Sequence, residues 1–174
     1  MKKITAIIFL VLSIIITIPV FAFNVDVADV RFSPNGGCTR AIVDQIDNAK
    51  SEILIQAYSF TSAPIAKALV NAHKRGVHVE IILDKSNRSK KYSAGDFTAH
   101  MGVTTYIDSQ HAIAHNKIII IDRETVITGS FNFTKAAEEK NAENLLIIKN
   151  MKLAEIYIEN WNKHKNHSDT YLGR

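Results

Sequence analysis

The chain has 174 residues, of which 47% are hydrophobic and 22% charged, with a single cysteine. That is room for one ordinary domain, and it excludes wholesale disorder, collagen-like repeats and a disulfide scaffold. The formal net charge of +4 is a mild pointer to an anionic partner.

The front end departs from that average. Met1-Lys2-Lys3 is followed by an apolar run, Ile4 to Ile18, then by Pro19 and the small-residue pattern Val20-Phe21-Ala22. A basic start, a helix-breaking proline and Ala22 fit a secretory leader cleaved after residue 22, which implies export to the periplasm or beyond. The competing reading is an uncleaved membrane anchor, since about 20 apolar residues span a bilayer. Cleavage at 22 leaves 152 of the 174 residues and removes Lys2 and Lys3, so the charge falls from +4 to +2. Global basicity is then weak support for a nucleic-acid partner. Cys38 has no partner in the chain and reads as a buried thiol, with an intermolecular bridge as the lesser alternative.

Residues 23–174 read as one domain, because no Pro-, Gly- or Ser-rich linker divides them. Val25–Phe32 alternates like a strand and stops at the turn cluster Ser33-Pro34-Asn35-Gly36-Gly37, which is placed to help form a site rim. A helix follows with Ala41, Ile42, Ile46 and Ala49 on one face. Next come a strand at Glu52–Tyr58, a helix turning Ile65, Ala66, Leu69, Val70 and Ala72 inward, and a strand at Val77–Leu83. This βαβαβ order predicts parallel strands with crossover helices.

Asp84–Lys91 is a basic loop. It leads to a short helix at Ala94–Met101 and a strand at Val103–Ile107. Lys117–Ile121 and Thr125–Thr128 flank Asp122-Arg123-Glu124 as a hairpin, and Leu145–Lys149 is a further strand. Lys152–Lys163 closes the chain as an amphipathic helix with Leu153, Ile156, Tyr157 and Trp161 inward. Ile118 to Ile121 do not alternate, so both faces of their sheet are covered. The expected fold is α/β: a mixed, largely parallel sheet sandwiched between helices.

The chemistry concentrates between His115 and Asn132, where the text is HNKIIIIDRETVITGSFN. His115 and Lys117 lie two apart on a strand and project to one face. An imidazole beside an ammonium suits a nucleophile or acid next to an anion clamp. Gly129-Ser130-Phe131-Asn132 sits where a strand ends and Thr134-Lys135-Ala136-Ala137 begins a helix. Backbone N–H groups there, with the Ser and Asn side chains, suit phosphate oxygens. Taken singly, each piece has an ordinary structural explanation as a strand histidine, a solvated lysine or a turn and cap.

Together the six positions match the HxK(x)4D(x)6GSxN signature, and the chain resembles the small single-motif nucleases of the phospholipase D superfamily over nearly all of residues 23–174. That resemblance implies that His115 attacks phosphorus to form a phosphohistidine, which water hydrolyses. It assigns the phosphate oxygens to Lys117 and Asn132, with Ser130 and Gly129 in support, and an orienting acid to Glu143. Asp122 has a structural place in the motif. No metal or other cofactor is implied. Free imidazole has a pKa near 6.5, so one histidine can attack while another, protonated, donates to the leaving oxygen. Lysine and amide donors would stabilise the phosphoryl charge. The scheme needs two histidines and two lysines, and the chain holds one motif. The family's solution is a homodimer whose copies of His115, Lys117 and Asn132 meet across a two-fold axis.

The other histidines give no second motif. His111 and His115 form HxxxH, a zinc pair only on a helix, yet the segment lacks the Glu of HExxH and runs into a strand. His73, His78, His100, His164 and His167 read as surface or satisfied residues, while His111 could line the cleft. In the basic loop, Lys85, Arg88, Lys90 and Lys91 could flank a polyanion groove or simply be solvated, and Tyr92 could stack on a base or pack. The leading expectation is a metal-independent phosphodiesterase that cleaves DNA, and RNA as a second polynucleotide, without reading sequence. The alternative is phospholipase D-type hydrolysis of phospholipid head groups. A third reading, a binding protein that has kept the fold, fits the intact motif poorly. Contact with a membrane is expected only if the leader stays attached.

Overall fold

A computed structural model of the chain describes residues 24–89 and 93–174. The leader, Lys90, Lys91 and Tyr92 lie outside the described residues. The elements run in the order β1 (Asp26–Ser33), α1 (Cys38–Asn48), β2 (Glu52–Ala57), α2 (Ala63–Lys74) and β3 (His78–Asp84). A 3-10 turn at Lys85–Arg88 precedes α3 (Ala94–His100) and β4 (Thr104–Asp108). Then follow β5 (Lys117–Ile121), β6 (Thr125–Gly129), α4 (Lys135–Glu139), β7 (Glu143–Lys149), α5 (Met151–Lys165) and β8 (Asp169–Tyr171).

The strands form one eight-stranded sheet in the order β1-β7-β6-β5-β2-β3-β4-β8. Only β2–β3 and β3–β4 pair in parallel, and the other five pairings are antiparallel. The expectation of a largely parallel sheet is therefore corrected to a mostly antiparallel one. The turn Asp122-Arg123-Glu124 makes β5–β6 antiparallel, because a chain that turns back at once cannot cross over, whereas β6 returns to β7 through the longer segment that carries α4. The first βαβ step also differs from expectation. β1 does not lie beside β2; it pairs with β7, Asp26 opposite Lys149 and Ser33 opposite Glu143.

Helices cover both faces. On one side α1 and α2 bury Ile42, Ile46, Ile65, Leu69 and Ala72 against Ile53, Ile55, Ile81, Ile119 and Ile121. On the other side α5 packs Ala154, Ile158 and Trp161 on Leu54, Ile82, Ile118, Ile120 and Val126. Ile118 to Ile121 thus feed the two cores alternately, which is why the run is apolar throughout. Trp161 completes its seat by donating its indole N–H to the carbonyl oxygen of Ile55 at 2.9 Å.

The inward face of α5 differs from expectation. Ile156 is 53% exposed, and Ala154 and Ile158 take its place in the core. Both stripes satisfy helical spacing, and the small Ala154 lets the helix approach the sheet closely. Leu153 and Tyr157 pack on that core as expected, and Ile156 lies at the cleft near the start of β5. Cys38 is wholly buried, and burial, followed by the nearby Glu138 carboxylate, pushes its thiol up to about 11. The Asn35–Thr39 turn is fastened to α4: Glu138 accepts from the backbone N–H groups of Gly37 at 3.0 Å and Thr39 at 2.7 Å.

Candidate active site

The parallel strands β2, β3 and β4 end at the same edge of the sheet at which β5, running the other way, begins. Lys117 opens β5 opposite Ala57, the last residue of β2. The irregular segment 109–116 delivers His115 to that edge, and it is held at several points. Asp84 accepts from the Ala114 N–H at 2.8 Å, Lys85 Nζ donates to the His111 carbonyl at 2.9 Å, and the Tyr58 N–H donates to Asn116 at 2.9 Å.

His115 is exposed, whereas Lys117 is only 7% exposed. The Lys117 ammonium donates to the His115 carbonyl oxygen at 2.6 Å and lies 5.1 Å from the centre of the Tyr58 ring. That ring packs on the His115 imidazole with centroids 4.6 Å apart. Burial lowers the Lys117 pKa, and the charge of Glu143 works against that shift. A poorly solvated ammonium beside an accessible imidazole suits an anion that brings its own charge.

Gly129, at the end of β6, lines the same cleft as His115 and Lys117, and Ser130 to Asn132 follow it in the chain. Phe131 and Phe133 are buried to 0% and 1%, and they anchor the segment so that Ser130 and Asn132 alternate outward between them. The N–H groups of Ser130 and Phe131 both donate to the Asn144 carbonyl, at 3.1 and 3.3 Å. The expected cradle of backbone N–H groups is thus engaged by β7, and it is side chains that serve the site. Ser130 Oγ accepts from the Asn144 N–H at 3.1 Å, which leaves its own O–H hydrogen to donate. Asn132 Oδ1 is buried without a hydrogen-bond partner among the described residues.

An open cleft of about 530 Å³ at this edge is lined by His115, Lys117, Thr128 and Gly129, with Tyr157 and Asn160 from α5. Glu143, at the start of β7, accepts from Asn141 Nδ2 at 3.1 Å and contributes its charge to Lys117. Asp122 lies at the far end of β5, where its carboxylate accepts from the N–H groups of Lys50, Ser51 and Glu52. Its place is the β5–β6 turn, remote from His115.

Lys85 and Arg88 are exposed on the 3-10 turn, and both are engaged by the chain itself. Lys85 holds the His111 carbonyl, and Arg88 pairs with Asp169 at 2.7 Å. The remaining basic residues of that loop fall outside the described residues. His111, read from the sequence as able to line the cleft, and His164 and His167, read as surface or satisfied residues, converge on Asp108. The signal in the sequence was a pair of three-residue spacings, Asp108 to His111 and His164 to His167, lying far apart in the chain.

A family model described as "Cardiolipin synthase, PLD-like domain" matches residues 42–165. The chain is 50% identical over 134 residues to the phospholipase D of Rickettsia felis, a match covering 77% of this chain and 67% of that protein. It is 28% identical over 115 residues to the mitochondrial cardiolipin hydrolase of Mus musculus, covering 66% of this chain and 52% of that one. Among solved structures, the phospholipase D family member Nuc from Salmonella typhimurium superposes with a TM-score of 0.81 at 44% identity. That match covers 85% of this chain and 99% of that one. NucT from Helicobacter pylori shares the fold, with a TM-score of 0.74 at 23% identity, covering 82% of this chain and all of that one.

Proposed function

The chain belongs to the PLD-like domain family, as a single-motif phosphodiesterase of the phospholipase D superfamily, and we propose that its substrate is DNA, with RNA as a second polynucleotide. The observation that supports this reading is the cleft that His115, Lys117 and Gly129 line together, with Ser130 and Asn132 following Gly129 in the chain. The match to Salmonella Nuc spans 99% of that chain, whereas the phospholipase D of Rickettsia felis is matched over 67% of its length.

In the proposed mechanism the imidazole of His115 attacks phosphorus, and the P–O bond to the leaving group breaks as the phosphohistidine forms. The protonated His115 of the partner subunit gives its proton to the leaving oxygen, then takes one from the water that cleaves the P–N bond. Lys117, Asn132 and the Ser130 hydroxyl hold the non-bridging oxygens, and Glu143 sustains the charges of the site. The working unit is a homodimer, exported from the cell by the leader at 1–22, or tethered to a membrane if the leader is retained. No divalent cation is assigned a part in the chemistry.

The test is supercoiled plasmid and phosphatidylcholine/phosphatidylglycerol vesicles, each incubated with purified protein in EDTA at a temperature where circular dichroism shows it folded. Plasmid should be nicked, vesicles left intact, and His115→Asn should abolish cleavage. Loss of nicking in EDTA would overturn the metal-free chemistry. Hydrolysed vesicles beside intact plasmid would establish the second reading, phospholipid head-group hydrolysis, which the names of the Rickettsia and mouse relatives favour.

A further inference from the structure

Asp108 ends β4 at 0% exposure, and three imidazoles from two distant parts of the chain surround its carboxylate. His111 Nδ1 lies 2.8 Å from Asp108 Oδ2, His164 Nδ1 2.8 Å and His167 Nε2 3.3 Å. The rings pack on one another, with centroids 4.7, 5.2 and 5.5 Å apart. His111 belongs to the segment that delivers His115; His164 is in the last turn of α5, and His167 follows it.

Hydrogen bonding accounts for only part of this cluster. His111 and His164 each have hydrogen-bond geometry to Asp108, whereas His167 Nε2 is buried without a hydrogen-bond partner. An unprotonated nitrogen there would aim its lone pair at a carboxylate oxygen. A protonated one would be misaligned for donation. A divalent cation resolves the conflict, because it takes the lone pairs of three nitrogens and one carboxylate oxygen together.

We infer that Asp108, His111, His164 and His167 form a zinc site. Among the described residues, these four each offer a ligand atom within 4.8 Å of the other three. Three imidazoles and a carboxylate are an N/O set that suits tetrahedral Zn²⁺, with metal–ligand bonds near 2.0–2.2 Å. That geometry separates ligand atoms by roughly 3.3 Å, so the cluster closes by about 1.5 Å at its widest. His111, whose side chain is 46% exposed on a loop, has the freedom to supply the movement. The carboxylate is already oriented, since Asp108 Oδ1 accepts from the Gln110 N–H at 3.2 Å.

The ion would be structural, tying the segment 109–116 to the C-terminal helix. None of its ligands is assigned to the phosphate. Asp108 and Lys117 lie on strands three spacings apart in the sheet, roughly 14 Å.

The test uses the full, untagged chain titrated with Zn²⁺ against a chromophoric chelator, and with Co²⁺ for its visible ligand-field bands. One Zn²⁺ per chain at micromolar metal, tetrahedral Co²⁺ bands and a rise of several degrees in Tm are expected. His164→Ala, His167→Ala and the loop variant His111→Gln should each lose the bands and the Tm rise, while His115→Asn keeps both. A wild-type chain that binds no Zn²⁺ at this level overturns the site. So does binding that survives in folded His164→Ala and His167→Ala, or that is lost in His115→Asn. The readout is metal content, so the result is independent of which phosphodiester the enzyme cleaves.

Discussion

A Cβ placed on Gly129 would stand 2.2 Å from the carbonyl oxygen of Asn144. The same oxygen accepts from the N–H groups of Ser130 and Phe131, so the backbones of β6 and β7 are drawn together just ahead of Asn132, which with Ser130 is proposed to hold the phosphate. Gly129 also has a φ of +151°, which side-chain-bearing residues rarely adopt. Gly129→Ala must push β7 away and carry Ser130 and Asn132 with it. The expected cost is about 1–3 kcal/mol of stability by overpacking, together with a loss of at least tenfold in kcat/KM. Urea unfolding and a plasmid-nicking time course measure the two, and a variant with wild-type kcat/KM would show that the close approach does not position the site.

Lys117 has to be charged to hold a phosphate, and burial lowers its pKa below the ordinary lysine value of 10.5. Its charge is lost as pH rises through that lowered value. The alkaline limb of kcat/KM should therefore fall earlier than an ordinary lysine would allow. The Glu143 charge favours the ammonium, so Glu143→Gln should move the limb to still lower pH. Binding of a phosphodiester adds negative charge beside Lys117, and the limb of kcat should lie above that of kcat/KM. A pH–rate profile of both proteins decides, and an alkaline limb unmoved by Glu143→Gln removes the carboxylate from this role.

The motif was legible because its six positions are close in sequence and its spacing repeats the β5–β6 hairpin. Helices α1 and α2 were legible from the residues they bury, which recur at helical spacing. What could not be read was pairing between distant segments. Nothing in Asp26–Ser33 announces β7 as its neighbour, since the register depends on a sheet that the intervening chain must first build. The Glu138 carboxylate bound to the Gly37 and Thr39 N–H groups, and the Asp108 cluster with His164 and His167, are long-range in the same way. Each residue involved has an ordinary surface explanation until the fold brings it to its partners. Ile156 in the α5 stripe failed differently: Leu153, Tyr157 and Trp161 do pack on the core, but only packing against the sheet selected Ala154 and Ile158 over Ile156.

Asp122 makes a stability prediction. Burial disfavours its charge, but the N–H groups of Ser51, Glu52 and Lys50 and the Ser51 hydroxyl outweigh that, and the pKa is lowered from 3.8. A carboxyl depressed in the folded state contributes stability above its unfolded pKa, and that contribution is lost as pH falls through the folded one. Asp122→Ala should cost about 1–3 kcal/mol at pH 7, which lowers Tm by roughly 3–10 °C. The gap between wild type and variant should narrow below pH 3.8, and calorimetry across pH 2.5 to 7 follows it. A gap constant over that range would mean that packing, and not the carboxylate charge, joins the two turns.

The proposed homodimer makes a quantitative prediction that separates a shared site from two independent ones. The chemistry asks one imidazole to attack while a second, protonated, donates to the leaving oxygen, and each chain brings a single His115 to the sheet edge. If the pair must come from two chains, a dimer with one wild-type and one His115→Asn subunit lacks either the nucleophile or the acid. Random mixing then leaves active only the dimers with two wild-type subunits, so activity follows the square of the wild-type fraction. An equal mixture refolded together should keep about a quarter of the activity per chain, and not about half. The readout is initial nicking rate against mixing ratio, with the fraction of mixed dimers counted through distinguishable tags. A straight line through the origin would mean that each chain completes its own active site, and the second acid would then have to be sought within the chain.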